Sequence, residues 1–347
     1  MFMSCDTSWP VAVIGAGIAG LSCARSFQDA GVPVEVLEAA ELVGGRCAAI
    51  TSPQGAIDLG PAFVAARQSS FGRLADQWVR QGLMAPWHVN SYSDQPEEDS
   101  PEELDDIRPP RRIGLVGMPT MAALAQHLSS GLNIHTRFAV SEARRESEGW
   151  FLRAGDARVL GPYSKLIFAI PAPILRTIAG SELNVLKQQV RTSRYDPCWV
   201  LLMAPRTPIL SNVVQRANSS GPIRWVGAVH RQPGRSRSQM WILHASARWS
   251  QMRIRDDADQ IASELADLLH ANLGTKVPPA WLHAHLWHNA LHDGLPSDPA
   301  RPYFWDDESG LGICGDSVTE SSIEAAFLSG QKLAGEIFEH AGGLIAA

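Results

Sequence analysis

The stretch Val11–Gly20, VAVIGAGIAG, restricts this chain more than any other, because its three glycines stand where side chains would block a tight strand-to-helix turn. A β-branched apolar run leads into Gly15, and IAGLSCARSFQDAG then repeats apolar residues at helical spacing as far as Gly31. VPVEVLEAA follows as a second strand ending in acid at Glu38. Strand, turn, helix and strand make one β-α-β unit. In such a unit Gly15 permits the turn, Gly17 lets the backbone approach a pyrophosphate, and Gly20 lets helix and strand pack closely. The helix N-terminus adds free N–H groups and partial positive charge. Glu38, 18 residues past Gly20, is placed to accept hydrogen bonds from ribose hydroxyls and to disfavour a 2′-phosphate. The pattern therefore favours FAD or NAD over NADP.

A chain of 347 residues with 45% hydrophobic content buries a sizeable core and suits two domains better than one. Its net charge of -6 lacks the basic excess of a nucleic-acid or anionic-membrane partner, which leaves small molecules as the expected partners. MFMSCDTSWP has no basic-then-apolar signal pattern, and no apolar run reaches the roughly 18 residues of a membrane span, so a cytoplasmic location is expected. Cys5, Cys23, Cys47, Cys198 and Cys314 show no CxxC or Cys/His spacing, so reduced thiols and no metal site are expected.

Further pieces fit a dinucleotide site. ELVGGRCA puts a flexible glycine pair and Arg46 after the second strand, where a fixed cation would cover a pyrophosphate. GAIDLGPAF, 55 to 63, offers another approach by small residues. GLGICGDSVTESSIEAAFLSGQKLAGEI is predicted as a strand over 311–314, a Gly315–Asp316 turn and a closing helix from about Ser322. Asp316 would then lie at a strand's carboxyl end, the ligand edge of an α/β sheet. Elsewhere the patterns predict helices over 71–87, 114–131 and 257–274, strands within 132–155, and a buried strand in SKLIFAIPAPIL. SDQPEEDSPEELDDIRPPRR, 93 to 112, has the charge and proline content of a solvated loop. A flap over a substrate opening, or a docking surface at 97–106, is the alternative.

Together these motifs resemble the FAD-dependent oxidoreductases of the amine oxidase and glutathione reductase type. The resemblance narrows in YDPCWVLLMAP, IRWVGAVHRQPGR, MWILHASARWS and HAHLWHNALHDGLP, which look like renalase-family segments in the same order. It implies an α/β fold in which a Rossmann-type FAD-binding domain (1–65, 114–180 and 297–347) is interwoven with a smaller α+β substrate domain (66–113 and 181–296), as in amine oxidases and p-hydroxybenzoate hydroxylase. It implies that FAD lies on Gly15, Gly17, Ile18, Ala19 and Gly20, with Glu38 and Ala39 at the ribose and Val140 near the adenine. Gly45 and Arg46, then Gly60, Pro61, Ala62 and Phe63, and finally Gly315, Asp316, Ser322, Ile323 and Ala326 would complete the enclosure.

A bound flavin is itself the electron sink, so no protein nucleophile is required, and the chain carries no GxSxG, HExxH or P-loop lysine signature. The substrate face would draw on His244, His285, Trp287 and Asn289, with Phe63, Trp225, Trp249 and His288 as further candidates. Indoles stack on planar donors, and a neutral His or an Asn hydrogen-bonds a carboxamide. Core packing is the alternative for each Trp. In AHLWHNA the alternation of a strand puts His285, Trp287 and Asn289 on one side and His288 on the other. The renalase pattern has two arginines and a tyrosine where this chain has Leu286, His288 and Asn289, and a glutamine where it has Ala62.

The resemblance implies oxidation of a dihydronicotinamide isomer, 2- or 6-dihydro-NAD(P), with molecular oxygen as acceptor and peroxide as product. A flavin oxidase of amines or another small donor is the alternative. A catalytically reduced FAD-binding protein is the third possibility.

Overall fold

The computed structural model describes residues 9–89, 112–211, 215–217, 220–292 and 300–343. The chain forms two compact units: Met1–Ala48, Ala122–Tyr195 and His292–Ala347 make the first, and Ala49–Met121 with Asp196–Leu291 the second.

The first unit is built on a six-stranded sheet in the order Phe304–Asp306, Leu311–Ile313, Lys165–Phe168, Val11–Ile14, Val34–Leu37, Asn133–His135. Five strands are parallel, and Phe304–Asp306 is antiparallel at one edge. Val11–Ile14 and, after Lys165, Leu166–Phe168 are short buried apolar runs, as strands covered on both faces of a sheet are. Ala12, Ile14, Leu166, Phe168 and Ile313 share a core with Trp150, Leu152 and Tyr163 of a three-stranded antiparallel sheet. The helix Ile18–Asp29 packs against the closing helix Ile323–Gly343, with Phe27 edge-on to Phe338 at 5.4 Å.

The second unit centres on a five-stranded sheet in the order Gln215–Ala217, Ile223–Ala228, Trp241–Ala245, Tyr195–Pro205, Pro279–His292. One face packs on the helix Ala258–Leu273, where Ile261, Leu265 and Leu269 meet Leu201, Met203, Trp241 and Leu243. That helix follows its sequence signals: Asp257 caps it by accepting from the amides of Asp259 and Gln260, and left-handed Gly274 ends it. The opposite face packs on a hairpin, Ala49–Ser52 with Gly55–Asp58, through Ile57 and Leu59.

Two expected helices are shorter than their patterns suggest. The helix from 71 is Ser69–Arg80, and Gly82 at φ 72° closes it by turning its N–H back to the Val79 carbonyl. Residues 84–89 then pair as a strand with Arg112–Gly117, so 114–117 is strand and not helix. The helix expected over 114–131 begins only at Ala122, after a turn holding Pro119. In SKLIFAIPAPIL the strand stops at Phe168, and Pro171 opens a short helix, Ala172–Thr177. The acidic 97–106 segment lies outside the described residues. Among the described residues no helix is long and apolar enough to cross a membrane.

A Cβ on Gly330 would stand 2.1 Å from the Ala19 carbonyl oxygen and 3.0 Å from the Cys23 nitrogen, whereas one on Gly335 of the same helix would meet nothing within 4 Å. Gly330→Ala is therefore expected to lower stability by about 1–3 kcal/mol through overpacking in urea unfolding. Gly335→Ala is expected to leave stability unchanged or raise it by up to about 1 kcal/mol.

Candidate functional site

In the first unit the strands Val11–Ile14, Val34–Leu37 and Leu311–Ile313 run the same way, so their carboxyl ends share one edge of the sheet. The glycine loop leaves that edge at Gly15, whose φ of 105° suits glycine alone. A Cβ on Gly15 would lie 2.7 Å from the Ala169 carbonyl oxygen, and one on Gly20 would lie 2.0 Å from the Gly15 carbonyl oxygen. Gly17 differs, since a Cβ there meets nothing within 4 Å. Gly15 and Gly20 are thus glycine for packing, while Gly17 leaves open space beside the start of the helix. No side chain caps that helix at Gly17.

Other expected residues converge on this loop. The Gly44 N–H donates to the Ala16 carbonyl at 2.8 Å, and a Cβ on Gly45 would stand 3.5 Å from the Gly17 Cα. Gly44, at φ 116°, makes the turn that brings Gly45 and Arg46 there. Gly315 reaches the first helix, its own Cβ position 3.2 Å from that of Ala19. Arg46 donates to Asp316 Oδ2, which joins the two ends of the chain at one ion pair. The attraction of Asp316 outweighs the burial of the Arg46 guanidinium and raises its pKa.

Glu38 ties the loop to the second strand. Its carboxylate accepts from the Ala16 N–H at 2.7 Å and the Ala40 N–H at 2.8 Å, so each oxygen keeps a further lone pair outward. Ser322 accepts from the Ala325 N–H at 3.0 Å and so caps the closing helix, in which Ile323 is buried and Ala326 half-buried. Val140 begins an antiparallel strand and packs on the unit's core.

Sequence reasoning assigned Tyr195 no role. Its hydroxyl donates to Asp316 Oδ1 at 2.9 Å, and burial together with the Asp316 charge holds its pKa above the usual phenol value. Its only signal in the sequence is its place at the head of YDPC.

Gly60, Pro61, Ala62 and Phe63 fall in the second unit, because the hairpin before them buries Ile57 and Leu59 on its sheet. Trp287 Nε1 donates to the Leu59 carbonyl at 3.0 Å and Gln232 Nε2 to the Ala62 carbonyl at 3.1 Å. Phe63 meets Trp87 edge-on at 6.2 Å. Behind this segment Arg235 donates to Asp58 Oδ2 and to the carbonyls of Gly117 and Pro119, while the Met121 N–H donates to Asp58 Oδ1 at 2.7 Å. Burial raises the Asp58 pKa against the pull of Arg235.

On the same side of the sheet lie Trp225, Trp281 and Trp287. The Trp225 indole covers Gly227, where a Cβ would be 2.1 Å from its Cη2, and it stands 5.3 Å from the His244 ring at 43°. His285 meets Trp287 edge-on at 4.4 Å. The Nε2 atoms of His244 and His285 are buried without a hydrogen-bond partner. Burial, then Arg224, lowers the His244 pKa to about 4, and burial with His283 and His288 lowers that of His285. Both imidazoles are therefore neutral at pH 7, and among the described residues the groups acting on them include no carboxylate. Trp249 packs under Arg253 on the helix side, so it is a core residue and not part of this face. His288 is exposed and Asn289 half-buried.

Residues 13–78 match the NAD(P)-binding Rossmann-like domain family. A flavin-containing amine oxidase of Oncorhynchus mykiss is 40% identical over 76 residues, 22% of this chain and 15% of that protein. The 4,4'-diapolycopene oxygenase of Methylomonas sp is 29% identical over 140 residues, 39% of this chain and 28% of that one. This chain thus aligns with well under a third of either relative's length. The solved structure of cyclohexylamine oxidase from Brevibacterium oxydans superposes with a TM-score of 0.70 over 96% of this chain and 99% of that one, at 13% identity. The fold is α/β with a Rossmann-like nucleotide-binding domain, and the solved cyclohexylamine oxidase shares it.

His244 carries a stability consequence. The folded chain keeps it neutral down to about pH 4, but the unfolded chain protonates it near 6.5, so the unfolded state binds more protons in that interval and stability falls as pH drops through it. His244→Phe should remove on the order of 2 kcal/mol of the stability lost between neutral pH and pH 4.5, measured by denaturant unfolding at both.

Proposed function

We propose that the chain is an FAD-dependent oxidoreductase which takes hydride from a small planar donor, a 2- or 6-dihydro isomer of NAD(P), and passes the electrons to oxygen. The observation that carries this proposal is the single cradle joining Gly17, Glu38, Gly45, Arg46 and Asp316 at the carboxyl edge of the parallel sheet. Flavin-containing relatives support FAD as the dinucleotide. The residues fit it: open space at Gly17 admits a pyrophosphate to the helix N-terminus, Arg46 supplies a cation, and Glu38 and Asp316 supply acceptors for sugar and polyol hydroxyls. Gly45 and Gly315 keep the approach narrow, while Ile18, Ala19 and Ala39 add backbone amides.

When bound, FAD supplies a hydride acceptor at N5, and its reoxidation by oxygen with two protons releases hydrogen peroxide. The chain's own work on the donor falls to the Trp225, His244, His285 and Trp287 face. Indoles take up a flat ring, and a neutral imidazole hydrogen-bonds a carboxamide at the buried Nε2. Positioning is the protein's main contribution here.

Amine oxidation is the second reading, favoured by the likeness to the amine oxidase of Oncorhynchus mykiss and the cyclohexylamine oxidase of Brevibacterium oxydans. An ammonium donor would stand near the Arg224 charge that acts on His244, whereas an uncharged flat ring meets no such repulsion. That difference favours the dihydronicotinamide.

Anaerobic mixing of the FAD-loaded protein with each dihydronicotinamide isomer, ordinary NADH and NADPH, cyclohexylamine and putrescine decides between them by the loss of flavin absorbance. One isomer is expected to reduce the flavin at least about a hundredfold faster than either amine, and His244→Ala to slow that reduction by about tenfold. A flavin reduced by amines alone establishes the second reading. A flavin left oxidised by every donor overturns both.

A further inference from the structure

The chain leaves the first unit at Tyr195 and re-enters it at His292. Their rings lie 5.3 Å apart, and both residues are tied to the turn that carries Asp316. The Tyr195 hydroxyl stands 2.9 Å from Asp316 Oδ1 and 3.1 Å from Ser317 Oγ. Ser317 already gives its proton to the Ile170 carbonyl at 2.9 Å, and the phenol has one proton to give. The carboxylate is the stronger acceptor and receives it. The His292 backbone N–H donates to Ser321 Oγ at 2.7 Å, and that hydroxyl donates to Asp316 Oδ2 at 3.3 Å.

A carboxylate offers about two lone-pair sites on each oxygen. Oδ2 of Asp316 receives Arg46 and Ser321, which fills it; Oδ1 receives Tyr195 and keeps one site. The aspartate is 5% exposed, so water is a poor substitute for a missing donor. The orientation of the free site therefore depends on the phenol.

We infer that Tyr195 is a positioning residue for the cofactor, aiming the free acceptor site of Asp316 Oδ1 at a hydroxyl of the FAD polyol chain. This rests on the FAD reading. The phenol touches the aspartate and not the reacting atoms, so its effect appears in cofactor affinity and passes entirely through Asp316. Tyr195 begins the strand Tyr195–Pro205 and His292 ends the strand Pro279–His292, so hydrogen bonds to the turn that carries Asp316 hold one end of each.

The test is FAD titration of the deflavinated full-length protein, followed by flavin fluorescence, for wild type, Tyr195→Phe, Asp316→Ala and the double variant. Tyr195→Phe keeps the ring beside His292 and is expected to raise the FAD dissociation constant by about tenfold, the cost of one hydrogen bond to a buried carboxylate. In the Asp316→Ala background the same substitution is expected to change nothing, since the group it acts through is gone. A loss of equal size in both backgrounds assigns Tyr195 a general structural role and overturns the inference, as does unchanged affinity in Tyr195→Phe. A wild-type protein that takes up no FAD overturns the cofactor reading itself. Should Tyr195→Phe fail to fold, Tyr195→Leu carries the same cycle: it also removes the hydroxyl, with about a tenfold loss expected in wild type and none in Asp316→Ala. Equal Tyr195→Leu losses in both backgrounds, or none in wild type, overturn the inference too.

Discussion

The first helix can present its N-terminus at the edge of the sheet only because it touches its neighbours through backbone. A Cβ on Gly20 would fall within 2.0 Å of the Gly15 carbonyl oxygen, and one on Gly330 within 2.1 Å of that of Ala19. Side chains at either place would push the helix outward by more than a cradle fitted to phosphate oxygens tolerates. With the helix held close, Ala16 lies within reach of Glu38, Gly17 beside Gly44 and Ala19 beside Gly315. The convergence of segments from both ends of the chain is thus a consequence of absent side chains more than of attractive ones.

What was legible in the sequence follows from the range of the forces involved. Gly15, Gly17 and Gly20, the strand into them, and the helix capped by Asp257 and ended by Gly274 all report local conformational demands, which a short window contains. The strand Arg112–Gly117 was hidden because its partner, Met84–Val89, stands across a long connection, and RIGLVG next to MPTMAALAQHL has an apolar pattern that suits a helix as well. Tyr195 was hidden for a similar reason. A phenol 121 positions from its aspartate shows no spacing rule, and YDPC reads as an ordinary strand start. Asp58 and Arg235 are 177 positions apart, and Arg235 sits in a loop of polar residues where a solvated side chain is the ordinary expectation.

The placement of 49–65 separates two meanings of a boundary. In sequence, GAIDLGPAF continues a run of dinucleotide-like motifs. In packing, Ile57 and Leu59 join Val200, Leu202 and Ile242, while Asp58 is neutralised by Arg235 and the Met121 amide. Apolar burial and a paired buried charge both tie the hairpin to the second unit's sheet. An ion pair of this kind is strongly destabilising to break from one side, so it fixes where the hairpin sits even where it adds little net stability.

The two units carry opposite chemistry. Around Asp316 every oxygen has a donor and the charges are matched, which is how a protein prepares a rigid seat for a polar, anionic cofactor. On the sheet face of the second unit, His244 and His285 have buried nitrogens with no donor or acceptor of the protein's own. Burying such a group without a partner is costly, and indole packing does not repay it. A partner that brings a hydrogen-bonding group on a flat ring relieves both deficits at once, since the ring takes the indole surface and the polar group takes Nε2. A flexible alkylammonium can donate to Nε2, but it brings no flat ring to the indoles and adds a positive charge near Arg224. The unmet hydrogen bonds of the two histidines are thus the feature of this face that a bound molecule would answer, and under the proposed function that molecule is the donor.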